Sequence, residues 1–231
     1  MKIKLANLLI LLVSFFGTLT ALSFMPDTVP VHFNIQGIAD RWGSKYEMLI
    51  MPVIMAVMLG IWFVCDIFYR KQAGAATEEK QRAEAQMNIK VINITFTATS
   101  VMFLVLNAIC LYLSYIQLEP GQALDIDVMR IIAVVMGIFF VFIGNIMPKT
   151  KRNSAVGFRF PWTRYNDVTW AKCNRFSGFA MVIFGLLTAV GGILFSGMTA
   201  MIVMMIAIFG SLIVMLIYAY LVYMDERKKE K

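Results

Sequence analysis

Charge is what this sequence has least of. Only 15% of its 231 residues are Asp, Glu, Lys or Arg and 60% are hydrophobic, whereas soluble domains carry roughly a quarter charged residues. That imbalance excludes an ordinary water-soluble domain. Histidine occurs once, at His32, so no catalytic pair or metal site built on several imidazoles is available. There are three cysteines: Cys65 and Cys110 fall in apolar stretches and Cys173 in a polar one. Their spacings match no zinc pattern, and no pair faces an oxidising compartment. The sequence also lacks H-E-x-x-H, G-x-S-x-G, a phosphate loop and a Cys–His pair. The expectation is a chain that is no enzyme, with no cofactor and no metal.

What is present is apolar length. Mean hydropathy is +0.74, and the excess is gathered into six stretches: Leu5–Met25, Met48–Phe68, Val91–Ile116, Met129–Met147, Phe176–Ser196 and Thr199–Met224. About 20 such residues cross a hydrocarbon core of about 30 Å. The stretches are apolar nearly all round, where a soluble helix would show a stripe. The first is long for a secretory signal and no small-x-small cleavage site follows before Pro26, so it reads as a retained helix. The expected fold is an all-α integral membrane protein, a six-transmembrane-helix bundle with a small extended external loop.

The net charge of +7 belongs to topology, with no call for direct nucleic-acid binding. With the N-terminus inside, two Lys or Arg lie in Met1–Lys4, five in Tyr69–Lys90, seven in Pro148–Arg175 and four after Met224. Eighteen of 21 thus fall on one side, a strong positive-inside pattern. It predicts a multi-pass inner-membrane protein with both termini cytoplasmic and with contact to anionic lipid heads. The organisation read from the sequence is 1–68 (first helix, external motif loop, second helix), 69–90 (charged cytoplasmic loop), 91–147 (third and fourth helices), 148–175 (basic cytoplasmic loop) and 176–231 (helical hairpin and basic tail).

Between the first two helices, Pro26–Glu47 has the chemistry of a short strand, a turn and a second strand, with Thr28–Phe33 first and turn residues from Asn34 to Gly37. In 69–90, Thr77 is the expected N-cap of a charged cytoplasmic extension of the third helix. The loop Gln117–Val128 is short and acidic. Ser196-Gly197-Met198 is a tight turn, so the last two helices form an antiparallel hairpin. Gly185, Gly191 and Gly192 of the fifth helix and Gly210 and Ser211 of the sixth allow close backbone approach.

The least ordinary segment is Gly144–Gly178, with seven basic residues, two tryptophans and two prolines. Pro148 ends the fourth helix. Pro161 drives Phe160 into an extended conformation. Asn166 or Thr163 caps a new helix on which Trp170, Asn174 and Ser177 share one face, with Cys173 beside them.

This segment resembles the SdpI family of bacterial membrane immunity proteins. The residues that carry the resemblance are Gly144, Asn145, Lys151, Asn153, Gly157, Arg159, Pro161, Trp162, Thr163, Trp170, Arg175 and Gly178. The external stretch is similar to the domain that commonly precedes that signature, through Pro26, Val29, Pro30, His32, Phe33, Asn34, Gly37, Asp40, Gly43, Ser44 and Lys45. The two motifs reach from about residue 26 to 178. The chain departs where members often carry T-H, having Cys173-Asn174, and has Arg152 where K-P-N has proline. The resemblance implies protection against a secreted, membrane-active peptide toxin. It also implies signalling, in which the toxin-engaged protein holds a transcriptional repressor at the inner face.

The expected binding residues are Pro30, His32, Phe33, Asn34, Gly37, Asp40 and Lys45 outside, where strand edges suit an added peptide strand. Inside they are Asn145, Lys151, Asn153, Arg159, Pro161, Trp162, Thr163, Trp170 and Arg175, a basic and aromatic surface suited to an acidic partner or an anion. A helix N-terminus near Asn166, with Arg159 and Arg164 alongside, favours negative charge. The plainer readings are charge for orientation, tryptophan for the membrane interface and a histidine bonded within its loop. Asp66 pairs with Arg70 one turn on, and Asn93, Asn107 and Asn145 bridge helices. Two other functions compete: a small peptide transporter or exporter, which needs facing ionisable groups at membrane depth, and a membrane anchor for a cytoplasmic regulator.

Overall fold

The computed structural model describes residues 2–34, 38–116, 126–153 and 155–229. Among the described residues, six helices are long and apolar enough to cross a membrane: α1 Lys2–Leu22, α2 Ile50–Ala75, α3 Glu79–Tyr115, α4 Val128–Ile146, α5 Asp167–Leu194 and α6 Gly197–Lys229. Only helices or closed barrels satisfy their own backbone groups in lipid, which is why apolar length becomes helix here. Side chains such as Phe16, Val57, Val64 and Ile206 point outward. The multi-pass membrane fold is as expected.

The helices form two groups of three. In the first, α3 packs against α2 and α1; in the second, α5 packs between α4 and α6. Contact between α3 and α4 joins the groups. The ends are tied by polar groups. Asp127 caps α4 by accepting from the Arg130 N–H, and its other oxygen accepts from the Gly197 N–H at the start of α6, 2.6 Å away. Arg130 donates to the carbonyls of Gly192 and Ile193 at the end of α5.

Two strands, β1 Thr28–Phe33 and β2 Ala39–Ser44, pair antiparallel between α1 and α2. Pro30 faces Trp42, and the register is irregular on either side of His32. With only two strands both are edges, so the missing Pro30 N–H leaves no ladder gap to fill. Val29 of β1 is buried with Leu22 and Met25, and Val31, Met48 and Leu111 close over them.

Three details differ from the sequence reading. Helix α2 runs on to Ala75 and α3 starts at Glu79, so the segment 69–90 is mostly helix, joined by Ala76–Glu78. The N-cap of α3 is Glu78, with no side-chain cap bond, in place of Thr77. Of the fifth-helix glycines, Gly191 faces Val203 of α6, but Gly185 and Gly192 face α4. The reason is spacing. Gly178, Gly185 and Gly192 recur every seven residues along α5, opposite Gly144, Gly137 and Ala133 of α4, and small residues at a constant heptad phase form one continuous seam. The α5–α6 hairpin itself is as read, with Gly197 in the left-handed region at φ 48°.

Candidate functional site

The polar chemistry collects at the two ends of the bundle and along one seam between them. At the hairpin end, Pro30 is fully buried and its carbonyl accepts from the Ser114 hydroxyl of α3 at 3.2 Å. His32 Nδ1 meets Asp40 Oδ1 at 2.5 Å, so the histidine is partnered within its own hairpin. Asn34 closes the turn twice: its N–H donates to the Ile38 carbonyl and its Oδ1 accepts from the Ile38 N–H. Lys45 reaches Asp27 at 3.0 Å and the Met25 carbonyl at 3.4 Å. Phe33 is half-buried and Asp40 exposed. Gly37 lies outside the described residues, as do residues 117–125 of the acidic loop. What the hairpin presents outward is His32, Asp40, Arg41 and Trp42, with Arg41 held by Glu47 at 2.8 Å.

At the opposite end the signature segment is folded tightly against α3, α5 and α6. Asn153 is its hub. Its Oδ1 accepts from the N–H groups of Ala155 and Val156, and its Nδ2 donates to the carbonyls of Lys151 and Val156 and, at 3.4 Å, to Asn88 of α3. Asn88 also accepts from the Lys151 N–H at 3.0 Å. Trp170, 2% exposed, donates from Nε1 to the Thr150 carbonyl at 3.0 Å. Asn174 accepts from the Phe158 N–H at 2.7 Å and donates to the Trp170 carbonyl. Gly157 sits against both: at φ 126° it must lack a side chain, and a Cβ there would strike Asn174 and the Trp170 ring. Thr163 is fully buried, accepting from the Phe160 N–H and lying within donor reach of the Phe158 carbonyl. Trp162 stacks on Phe160 and meets Tyr220 of α6 edge-on. Asn166 caps α5 in a reciprocal box with Thr169.

The candidate residues of the signature segment therefore divide. Asn153, Thr163 and Trp170 are buried and hold the loop. Lys151, Arg159, Pro161 and Arg175 are exposed, Trp162 is half-buried, and Asn145 donates back to the Val141 carbonyl of its own helix. Trp170, Asn174, Ser177 and Cys173 all turn inward from one face, as expected. Sequence reasoning missed Asn88 and Thr150, whose partners lie on other elements.

It also missed most of the seam between α1, α2 and α3. Asn107 donates to Ser14 and Thr18 at 3.2 and 3.0 Å, and Thr97 donates to Asn7 at 2.8 Å. Trp62 donates to Asn93 at 3.0 Å. Asp66, 1% exposed, is held by Arg70 at 2.8 Å and also by Lys4 at 2.6 Å. Asn93, Asn107 and the Asp66–Arg70 pair are as expected; Asn145 instead donates back to Val141 of its own helix, and Lys4, Asn7, Ser14 and Thr18 were not expected. The signal for the last three was their i, i+7, i+11 spacing on one face of an otherwise apolar helix. Asp66 is packed with two cations at the signature-loop end of the seam.

Comparison with known proteins meets these two ends. A domain of unknown function, DUF1648, matches residues 9–56, and the SdpI/YfhL protein family matches residues 149–219. The immunity protein SdpI of Bacillus subtilis (strain 168) is 24% identical over 96% of this chain and 97% of its own length. An uncharacterized protein of Archaeoglobus fulgidus is 37% identical over 22% of this chain, which spans only 28% of that relative. No solved structure matches. The first match holds the hairpin with α1 and the start of α2; the second holds the folded loop with α5 and most of α6. The chain therefore carries a DUF1648 domain followed by an SdpI/YfhL-family domain on one six-helix membrane scaffold.

Proposed function

We propose that this chain is a membrane immunity protein that protects the cell against a secreted, membrane-active peptide toxin, and that it also signals by holding a transcriptional repressor at the membrane. The observation that carries this reading is the end-to-end similarity to an immunity protein, with both family matches in order. In the proposed orientation both termini and the signature loop are cytoplasmic, as the positive-inside count favours. The hairpin then faces outward, and its exposed His32, Asp40, Arg41 and Trp42 meet the toxin. The exposed Lys151, Arg159 and Arg175 face the cytoplasm and meet the repressor. Turnover has no part in this mechanism: the protein acts by binding.

The test is expression in a toxin-sensitive strain, with survival and membrane potential measured under toxin. Protection with a maintained potential is expected. Unchanged killing across the related peptide toxins would reject the reading. Orientation has its own test. In a chain freed of Cys65, Cys110 and Cys173, Trp42→Cys should react with an impermeant thiol reagent from outside the cell and Arg159→Cys only after lysis. Labelling of both from one side would overturn it.

A further inference from the structure

The loop and the first helix group enclose a cavity that the immunity reading leaves unused. It has a volume of about 680 Å³ and lies between the end of α2, the start of α3 and the signature loop. Two guanidinium groups, Arg152 and Arg164, and one carboxylate, Glu84, face it, together with the amides of Gln72, Gln81 and Asn88. Its charged lining therefore carries an excess of one positive charge.

The donors are placed. Arg152 is held by Asp167 at 3.1 Å and by the Tyr165 carbonyl at 3.5 Å, which aims the guanidinium and leaves other N–H groups open. Arg164 stands on the short turn pinned by the buried Thr163, and its guanidinium has no partner among the described residues. Asn88 is 5% exposed, and its oxygen is taken by Lys151 and Asn153. Asn88 itself lines the cavity. Two arginines beside side-chain amides fit the oxygens of a phosphoryl group. Glu84 has nothing to offer a phosphate, but it accepts from a hydroxyl. The exposed, apolar Phe68 forms part of the wall, beside which an acyl chain can lie.

We propose that this cavity binds a glycerophosphoryl group, its phosphate between Arg152 and Arg164 and its hydroxyls toward Glu84. A singly charged phosphodiester balances the lining. This group is offered by the headgroup of phosphatidylglycerol and by soluble glycerophosphodiesters, and the inference is independent of any toxin.

The test uses the full chain in phosphatidylcholine nanodiscs with and without phosphatidylglycerol, the retained lipid being counted by native mass spectrometry. A parallel arm titrates glycerophosphoglycerol, the deacylated headgroup, into the full chain held in discs of phosphatidylcholine alone. Arg164→Gln should lower binding on the order of tenfold, the scale of one charge-assisted contact. Lys149→Gln removes the same charge from an exposed position outside the cavity and should change nothing. Glu84→Gln should erase a preference for phosphatidylglycerol over phosphatidic acid, whose headgroup has no glycerol hydroxyls. Binding in the first arm alone assigns the lipid as source, and binding in the second assigns the soluble diester. Wild-type binding by Arg164→Gln, equal losses in Arg164→Gln and Lys149→Gln, or no binding in either arm would overturn the proposal. Should Arg164→Gln not fold, an unchanged lipid preference in Glu84→Gln would overturn it in the same way.

Discussion

Gly144 of α4 and Gly178 of α5 face each other so closely that a Cβ on Gly144 would lie 2.6 Å from the Gly178 carbonyl oxygen, and one on Gly178 would lie 2.5 Å from that of Gly144. Backbone meets backbone there, so no side-chain rotation relieves an added group. Gly178→Val should therefore lower unfolding free energy by about 1–3 kcal/mol, the usual cost of overpacking. Gly60→Ala should act the other way, because nothing lies within 4 Å of its Cβ position and alanine gains about 0.5–1 kcal/mol over glycine within a helix. Reversible unfolding in mixed micelles measures both. Equal effects would show that the seam is looser than the distances imply.

Much of this arrangement was legible in the chain, and the parts that were not share a cause. Lipid penalises unsatisfied backbone and charge so heavily that six spans stand out without any tertiary information. Local chemistry was equally readable: Asn34 closing the hairpin turn, Asn166 capping α5, Pro148 ending α4. Trp170, Asn174 and Ser177 turn inward because helical spacing alone puts them together. What escaped depends on which helix lies beside which. Gly185 was assigned to the neighbour next in sequence but packs on α4. Lys4 reaches Asp66 across 62 positions of sequence, and Asn88 receives the signature loop from a similar distance. Nothing local announces such partners. Thr77 failed for a smaller reason, since helix ends shift by a residue or two when the competing cap is also polar.

Asp66 Oδ2 is shared between Lys4 and Arg70, at 2.6 and 2.8 Å, while the two cations are themselves 35% and 50% exposed. Removing the acceptor leaves both cations able to rehydrate, so the loss is moderate. Asp66→Asn should cost about 1–2 kcal/mol and Lys4→Gln less than about 1 kcal/mol, because Arg70 still holds the carboxylate. In a double-mutant cycle the pair should cost little more than Asp66→Asn alone. Strict additivity would mean that Lys4 and Asp66 do not interact in the folded protein.

Asn107 separates interhelical from intrahelical bonding. It donates to Ser14 and Thr18 of α1, whereas Thr99, eight residues earlier on α3, donates to the Thr95 carbonyl of its own helix. Asn107→Leu should cost about 0.6–2 kcal/mol, the range for hydrogen bonds between membrane helices. Thr99→Val should be close to neutral, since the Thr95 carbonyl keeps its helical partner. The same unfolding assay reads both, and a larger loss in Thr99→Val would place the holding force elsewhere on α3.

Asn153 gives the sharpest test of how the signature loop is built. One side chain accepts from two backbone N–H groups and donates to two backbone carbonyls, as well as to Asn88. Truncating it leaves those groups to find water, and they find it only if the loop opens. Each buried group left unpaired costs about 1–3 kcal/mol, enough to raise the open population on the order of tenfold or more. Lys149, Lys151, Arg152 and Arg159 flank the hub, so opening is readable as tryptic cleavage in detergent, where both faces are reached. Asn153→Ala should be cut in this segment at least about tenfold faster than wild type. Asn153→Asp keeps the two acceptor bonds and should fall between them. Arg41 and Lys45 in the far hairpin serve as the internal reference, and their cleavage should stay constant, because Asn153 touches nothing at that end. Accelerated cutting at both ends would mean global loosening of the bundle, and Asn153 would then be a support of the whole fold, with no special hold on the loop.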